Sequence, residues 1–199
     1  MIKLYVYIGI SLLVLSCTTK EPISIKENTS DEMVVIEPGI KNHITIDSVP
    51  ITIPIEFKIT QNTSNLRNLD LYFISINGKR LLDYGIDYQT YNKGNPKKPD
   101  YFSLDEKELA SQKNINIIVA VKTQMISREK AVRLIKKYNT NELLEKLKKN
   151  GSIKLIQYNQ FRKDNSDIID DFRKFSDSIV FSMSLKGGKR VHISKKINW

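Results

Sequence analysis

The chain is poor in the residues that most often announce chemistry. It has one cysteine, Cys17, so no disulfide can form within it. Histidine occurs twice, as His43 and His192, and neither stands in a context that pairs a base with a nucleophile. No GxSxG stretch is present, which removes the usual serine-hydrolase elbow. Gly187-Gly188-Lys189 lacks the spacing and the following helix of a phosphate loop. Asp164, Asp167, Asp170 and Asp171 cluster, but Ile168 and Ile169 break the alternate oxygen ligands that an EF-hand needs. They read instead as acids favoured at a helix N-terminus. No catalytic residue, metal ligand or cofactor is therefore assigned. The one long apolar run near the N-terminus, residues 4–15, falls short of the roughly 20 residues that cross a bilayer. Acid is the scarcer charge, 22 Asp and Glu against 32 Lys and Arg, a net charge of +10. Like charges are scattered rather than in one block, which describes a solvated basic surface.

What is present describes a globular protein, 40% hydrophobic and 27% charged. Residues 33–199 have the length of one ordinary domain. MVVI at 33–36 and residues 43–46 read as short strands. The clearest strand is ITIPIEFKIT, residues 51–60, where Ile51, Ile53, Ile55, Phe57 and Ile59 alternate with Thr52, Pro54, Glu56, Lys58 and Thr60. A period of two sends one side to the core and the other to water. Pro54, without an N–H, marks an edge or a bulge. Residues 69–77 form the next strand, and Asn77-Gly78 is a hairpin turn needing positive φ. Ser103 and Glu106 suit a capping box before a helix at about 104–110. Residues 114–123 read as a central strand.

Ser127 caps the run REKAVRLIKKY, and Thr140 caps a second segment, NELLEKLKK. Residues 152–161 return to strand, and Ser166 opens a short helix. The last hairpin has an odd-length loop at the glycines, pairing Leu185 with Val191 and Met183 with Ile193 so that both strands bury one face. There is no internal repeat and no repeated βαβ spacing, which argues against a parallel α/β fold. The expected architecture is mainly β: an antiparallel β-sandwich, immunoglobulin-like or transthyretin-like, with a helical insertion at about 127–176.

The N-terminus carries an address. Lys3, the apolar run and the small Ser16 describe a secretory signal peptide over residues 1–16. Val14-Leu15-Ser16-Cys17 resembles the lipobox of bacterial lipoproteins, with Val14 where leucine is usual and Ser16 fitting well. The resemblance covers only this first tenth of the chain. It implies that Cys17 becomes the first mature residue and carries acyl chains, the protein's attachment to a membrane. Several chains give stable anchoring where one does not. Thr18 stands where an inner-membrane retention signal would show aspartate, so the resemblance implies the outer membrane, on its periplasmic or its surface face. Residues 17–32, polar and without sustained period, read as lipidated cysteine plus flexible tether.

Export argues against nucleic acid and leaves an envelope protein as the expected partner. Two stretches could recognise it. Tyr84, Tyr88, Tyr91 and Tyr101 accompany Lys93, Lys97 and Lys98, and tyrosines on a basic loop give contact area at low entropy cost. The helical insertion is the second, with a basic side that could face anionic headgroups. The function expected is a lipid-anchored, non-enzymatic binding or assembly protein of a bacterial cell envelope. Its alternative is a lipid-anchored immunity protein neutralising an exported toxin.

Overall fold

The computed structural model describes residues 21–38, 47–93, 101–147 and 151–199. The expected strand at 43–46 lies outside them. Among the described residues eleven strands form two antiparallel sheets that face each other as a β-sandwich. The larger sheet joins β1 (Ile23–Thr29), β2 (Met33–Ile36), β3 (Ser48–Gln61), β6 (Tyr88–Asn92), β8 (Asn114–Ser127) and β9 (Ile153–Gln157) in the order β6-β8-β3-β2-β9, with β1 also on β3. The smaller sheet joins β4 (Leu66–Ile76), β5 (Lys79–Leu81), β7 (Ser103–Leu104), β10 (Ser178–Leu185) and β11 (Arg190–Lys196) in the order β11-β10-β4-β5, with β7 also on β4.

β3 explains the core. Ile51, Ile53, Ile55, Phe57 and Ile59 are all buried between the sheets. The opposite side reaches water at Lys58, but Thr52 and Glu56 are buried as well. Their polar groups are satisfied: Thr52 Oγ1 donates to Glu37 at 2.6 Å, and Glu56 accepts from Lys93 Nζ at 2.7 Å. Pro54 sits where β2 stops pairing, at Thr52, and β1 begins, at Ile55. The ladder to β8 is bulged beside it, between Ile51 and Ile53. Asn77 and Gly78 both take the positive φ of the expected turn, 51° and 72°.

β1 corrects the boundary between tether and domain. Residues expected to be a flexible tether up to 32 pair with β3 from Ile23↔Gln61 to Thr29↔Ile55, with Ile23 fully buried. The stretch ISIKENT has too few apolar residues to announce a strand, and pairing with a central strand supplies what propensity does not.

The helical insertion is also not purely helical. Helix α2 (Arg128–Tyr138) is capped as expected, Ser127 accepting from Lys130 N at 3.2 Å. The segment after Thr140 makes only a 3-10 turn, Leu144–Lys146, because Leu144 is inserted while Leu143 is exposed. β9 then joins the larger sheet. The strand expected to reach residue 161 ends at Gln157, where Tyr158 N and Asn159 N donate to the carbonyls of Glu32 and Ser30. That start lets Tyr158 and Phe161, three apart on helix α3 (Tyr158–Asp164), both enter the core. Helix α4 (Ser166–Arg173) follows without a side-chain cap. The capping box on α1 (Glu106–Ser111) is made by Asp105 and Glu108, two residues beyond the expected pair, because Ser103, in β7, donates its Oγ to Asp70 of β4 instead. In the last hairpin the loop is odd, but Met183 pairs with Val191 and Phe181 with Ile193. Leu185 N donates to Lys189 O, so the turn is centred one residue earlier than expected, each partner shifts by two, and the same faces are kept.

Candidate functional site

The tyrosine-rich stretch is where the sequence placed recognition, and the structure divides it. Tyr84, Tyr88 and Tyr101 come together. Tyr84 meets Tyr88 edge-to-face at 5.7 Å and Tyr101 at 6.0 Å. Tyr101 Oη donates to Leu71 O at 3.0 Å while its side chain stays half exposed. β6 alternates, so Tyr88 and Thr90 point inward and Tyr91 lies on the other face of the sheet, paired with Ile118. Burial raises the Tyr88 phenol, with Tyr101 and Tyr84 adding to the effect, and burial beside Asp70 raises Tyr101. Burial, with the charge of Glu32 behind it, pushes Tyr91 up to about 12. These phenols stay neutral at physiological pH and act as hydrogen-bonding rings. Lys97, Lys98 and Cys17 lie outside the described residues. Lys93 is committed to Glu56.

Beside this cluster a crevice of about 270 Å³ opens between the edges of the two sheets, lined by Thr90, Tyr101, Phe102, Glu108 and Gln112 over Ile117. Its carboxylate is already engaged, since Glu108 accepts from Asp105 N at 2.9 Å. A wider hollow of about 610 Å³ lies at the end of the sandwich between residues 60–66, α1 and Lys186. There Gln61 Nε2 donates to two carbonyls, Leu109 at 2.8 Å and Gln112 at 2.6 Å, and Lys186 pairs with Glu106 at 2.8 Å. Both hollows are walled by groups that already serve the fold.

The basic helix is similarly occupied. Along α2, Lys130, Arg133 and Lys137 face Asp171, Asp167 and Asp164, forming an ion-pair ladder to α4 and the end of α3. Lys130 and Lys174 together hold the Asp171 carboxyl down to about 2. Arg133 lowers Asp167. The acidic cluster is thus the counter-charge of the basic helix. Among the described residues no group of three or more His, Cys, Asp or Glu could hold a metal ion.

Two constellations escaped the sequence reading. The first is buried. Trp199 packs on Phe172 at 5.7 Å, and its indole N–H donates to Asp177 Oδ2 at 2.8 Å. Asp177, fully buried, also accepts from Asn77 N at 2.7 Å. The Trp199 main-chain oxygen accepts from Arg162 at 2.7 Å and Arg173 at 2.8 Å. The second lies in the open, on the outer face of the smaller sheet. Arg80 stacks with its guanidinium carbon 3.9 Å from the Phe73 ring centre and 5.0 Å from that of Tyr72. His192, expected on the outward face of the last strand, lies there and stacks on Tyr72 at 5.0 Å. No local motif marks either set, because each joins residues far apart in the chain.

The chain matches no family model, no curated protein and no solved structure. Among the described residues no helix is long and apolar enough to cross a membrane.

Proposed function

We propose that this protein is a lipid-anchored, non-enzymatic binding or assembly protein of a bacterial cell envelope, held by acyl chains on Cys17. The observation that carries the reading is the Val14-Leu15-Ser16-Cys17 stretch at the end of the apolar run, holding the chain's sole thiol. The reading has one geometric consequence. β1 starts at Ile23, so six residue steps separate Cys17 from the sandwich, a reach of about 20 Å when fully extended. The domain therefore sits close to the headgroups, with residues 61–65 and 112–113 at its anchored end, since Asn62 N donates to Pro22 O.

Cys17→Ser tests the anchor. The variant should leave the membrane fraction or stall before processing, and it should lose incorporation of radiolabelled palmitate. Membrane retention of a normally cleaved serine variant overturns the reading. Affinity capture of the lipidated protein from its native envelope tests the binding role, and capture of no envelope protein counts against it.

A further inference from the structure

We propose that the outer face of the smaller sheet is the docking surface for an acidic protein partner, with Arg80 as its carboxylate-binding centre. The inference rests on the binding-protein reading and not on the lipid at Cys17.

The register builds the surface. On β11, Arg190, His192, Ser194 and Lys196 alternate outward, opposite Ser184, Ser182, Val180 and Ser178 of β10. β10 in turn faces Asp70, Phe73 and Ser75 of β4, and Ser75 pairs with Arg80 of β5. The ladder of β4 on β10 shifts between Phe181 and Val180, leaving Tyr72 as the extra residue. That bulge turns Tyr72 outward beside Phe73, and it is half exposed. The small Ser182 between the flanking strands leaves room for Tyr72 and His192 to meet above it. The result is a ridge, Arg80–Phe73–Tyr72–His192, over a floor of serines.

Charge decides what fits. The outward charges on these strands are Arg80, Arg190 and Lys196 against one acid, Asp70, which already accepts from Asn68 at 3.1 Å and Ser103 at 2.6 Å. Among the described residues, the Arg80 side chain has its two ring contacts and no hydrogen bond or ion pair. A guanidinium stacked on rings keeps its N–H edges free in a fixed plane, the arrangement that takes a carboxylate bidentately. A second copy of this face would set cation against cation, so the partner is not the chain itself. The outward strand positions carry no exposed aliphatic side chain, Val180 being buried, and the one aliphatic group exposed beside Arg80 is Leu82, just past β5. A flat cationic ridge with hydroxyls fits the carboxylates of a folded acidic surface.

The test uses the full chain extracted from the envelope in neutral detergent and fluorescein-labelled poly-L-glutamate, read by anisotropy. Loss of charge-assisted hydrogen bonds should weaken binding about tenfold in Arg80→Ala. Arg80→Lys should lose nearly as much, because lysine keeps the charge without the planar fork. Lys136→Ala, on the exposed side of α2, should change it less than about twofold, and the melting temperature of Arg80→Ala should stay within a few degrees. Equal losses in Lys136→Ala and Arg80→Ala, or no binding of the polymer, would overturn the proposal. So would tighter, Arg80-dependent binding to phosphatidylglycerol vesicles, which would give the face to lipid. None of these outcomes alters Cys17 release or envelope capture, so failure here is distinct from failure of the binding-protein reading.

Discussion

Two clusters of arginine and aromatic rings sit in different parts of this molecule and have opposite fates. At Asp177 the tryptophan is buried, the carboxylate accepts from a backbone N–H and an indole N–H, and Arg162 and Arg173 share the Trp199 oxygen. At Arg80 the rings lie on an open sheet face and the guanidinium's donors have no partner among the described residues. The chemistry is alike, and what differs is whether the fold has consumed it. Burial without partners would cost several kcal/mol, so the inner cluster had to be closed. On the surface water satisfies the donors, and they remain available.

That contrast can be broken by mutation. Trp199→Ala should be the most damaging change, costing about 3–5 kcal/mol for a fully buried ring, read from the midpoint of urea unfolding. Asp177→Ala should follow, at about 1–3 kcal/mol for each buried donor it strands. If it unfolded no more readily than Arg80→Ala, the division into closed and open clusters would fail. The ion-pair ladder of α2 lies between the two, satisfied yet partly exposed. In the folded protein Asp171 titrates at about 2 rather than its ordinary 3.8. Its contribution to stability is therefore present above about pH 4 and is lost as pH falls through about 2. Lys130→Met should lower the unfolding midpoint at pH 7, and the gap to the parent protein should close by pH 2. A gap that stayed constant with pH would mean that Lys130 acts through packing. Arg80→Ala should cost least in stability, no more than about 1 kcal/mol for an exposed cation–π contact.

Much of the sandwich could be read from the sequence, because periodicity is local. The alternation of β3, the Asn77-Gly78 turn and the Ser127 cap each need only a few neighbouring residues. β1 could not be read that way, since Lys26, Glu27 and Asn28 follow Ile23 and Ile25, and only β3 makes a strand of them. The shift from strand to helix at Tyr158 was hidden for a similar reason, its first amides being held by the carbonyls of Glu32 and Ser30. Among the candidate recognition residues, the meeting of Tyr84 with Tyr101 depends on the packing of the two sheet edges, and the exile of Tyr91 on the pleat of β6. The Arg80 ridge was out of reach. It requires a bulge at Tyr72 and the neighbouring strand β10, neither of which leaves a mark in composition.

β1 has a mechanical consequence. Its seven residues lie antiparallel along β3, and Pro22 O adds a bond from Asn62 N at 2.9 Å. Traction on the chain ahead of Pro22, along the strand axis, loads these bonds side by side in shear, so they must rupture together. Traction at right angles peels them one after another. The load passes into β3, which is braced by β8 on its other edge. A lengthwise pull on this end of the chain therefore meets the whole β1–β3 ladder at once.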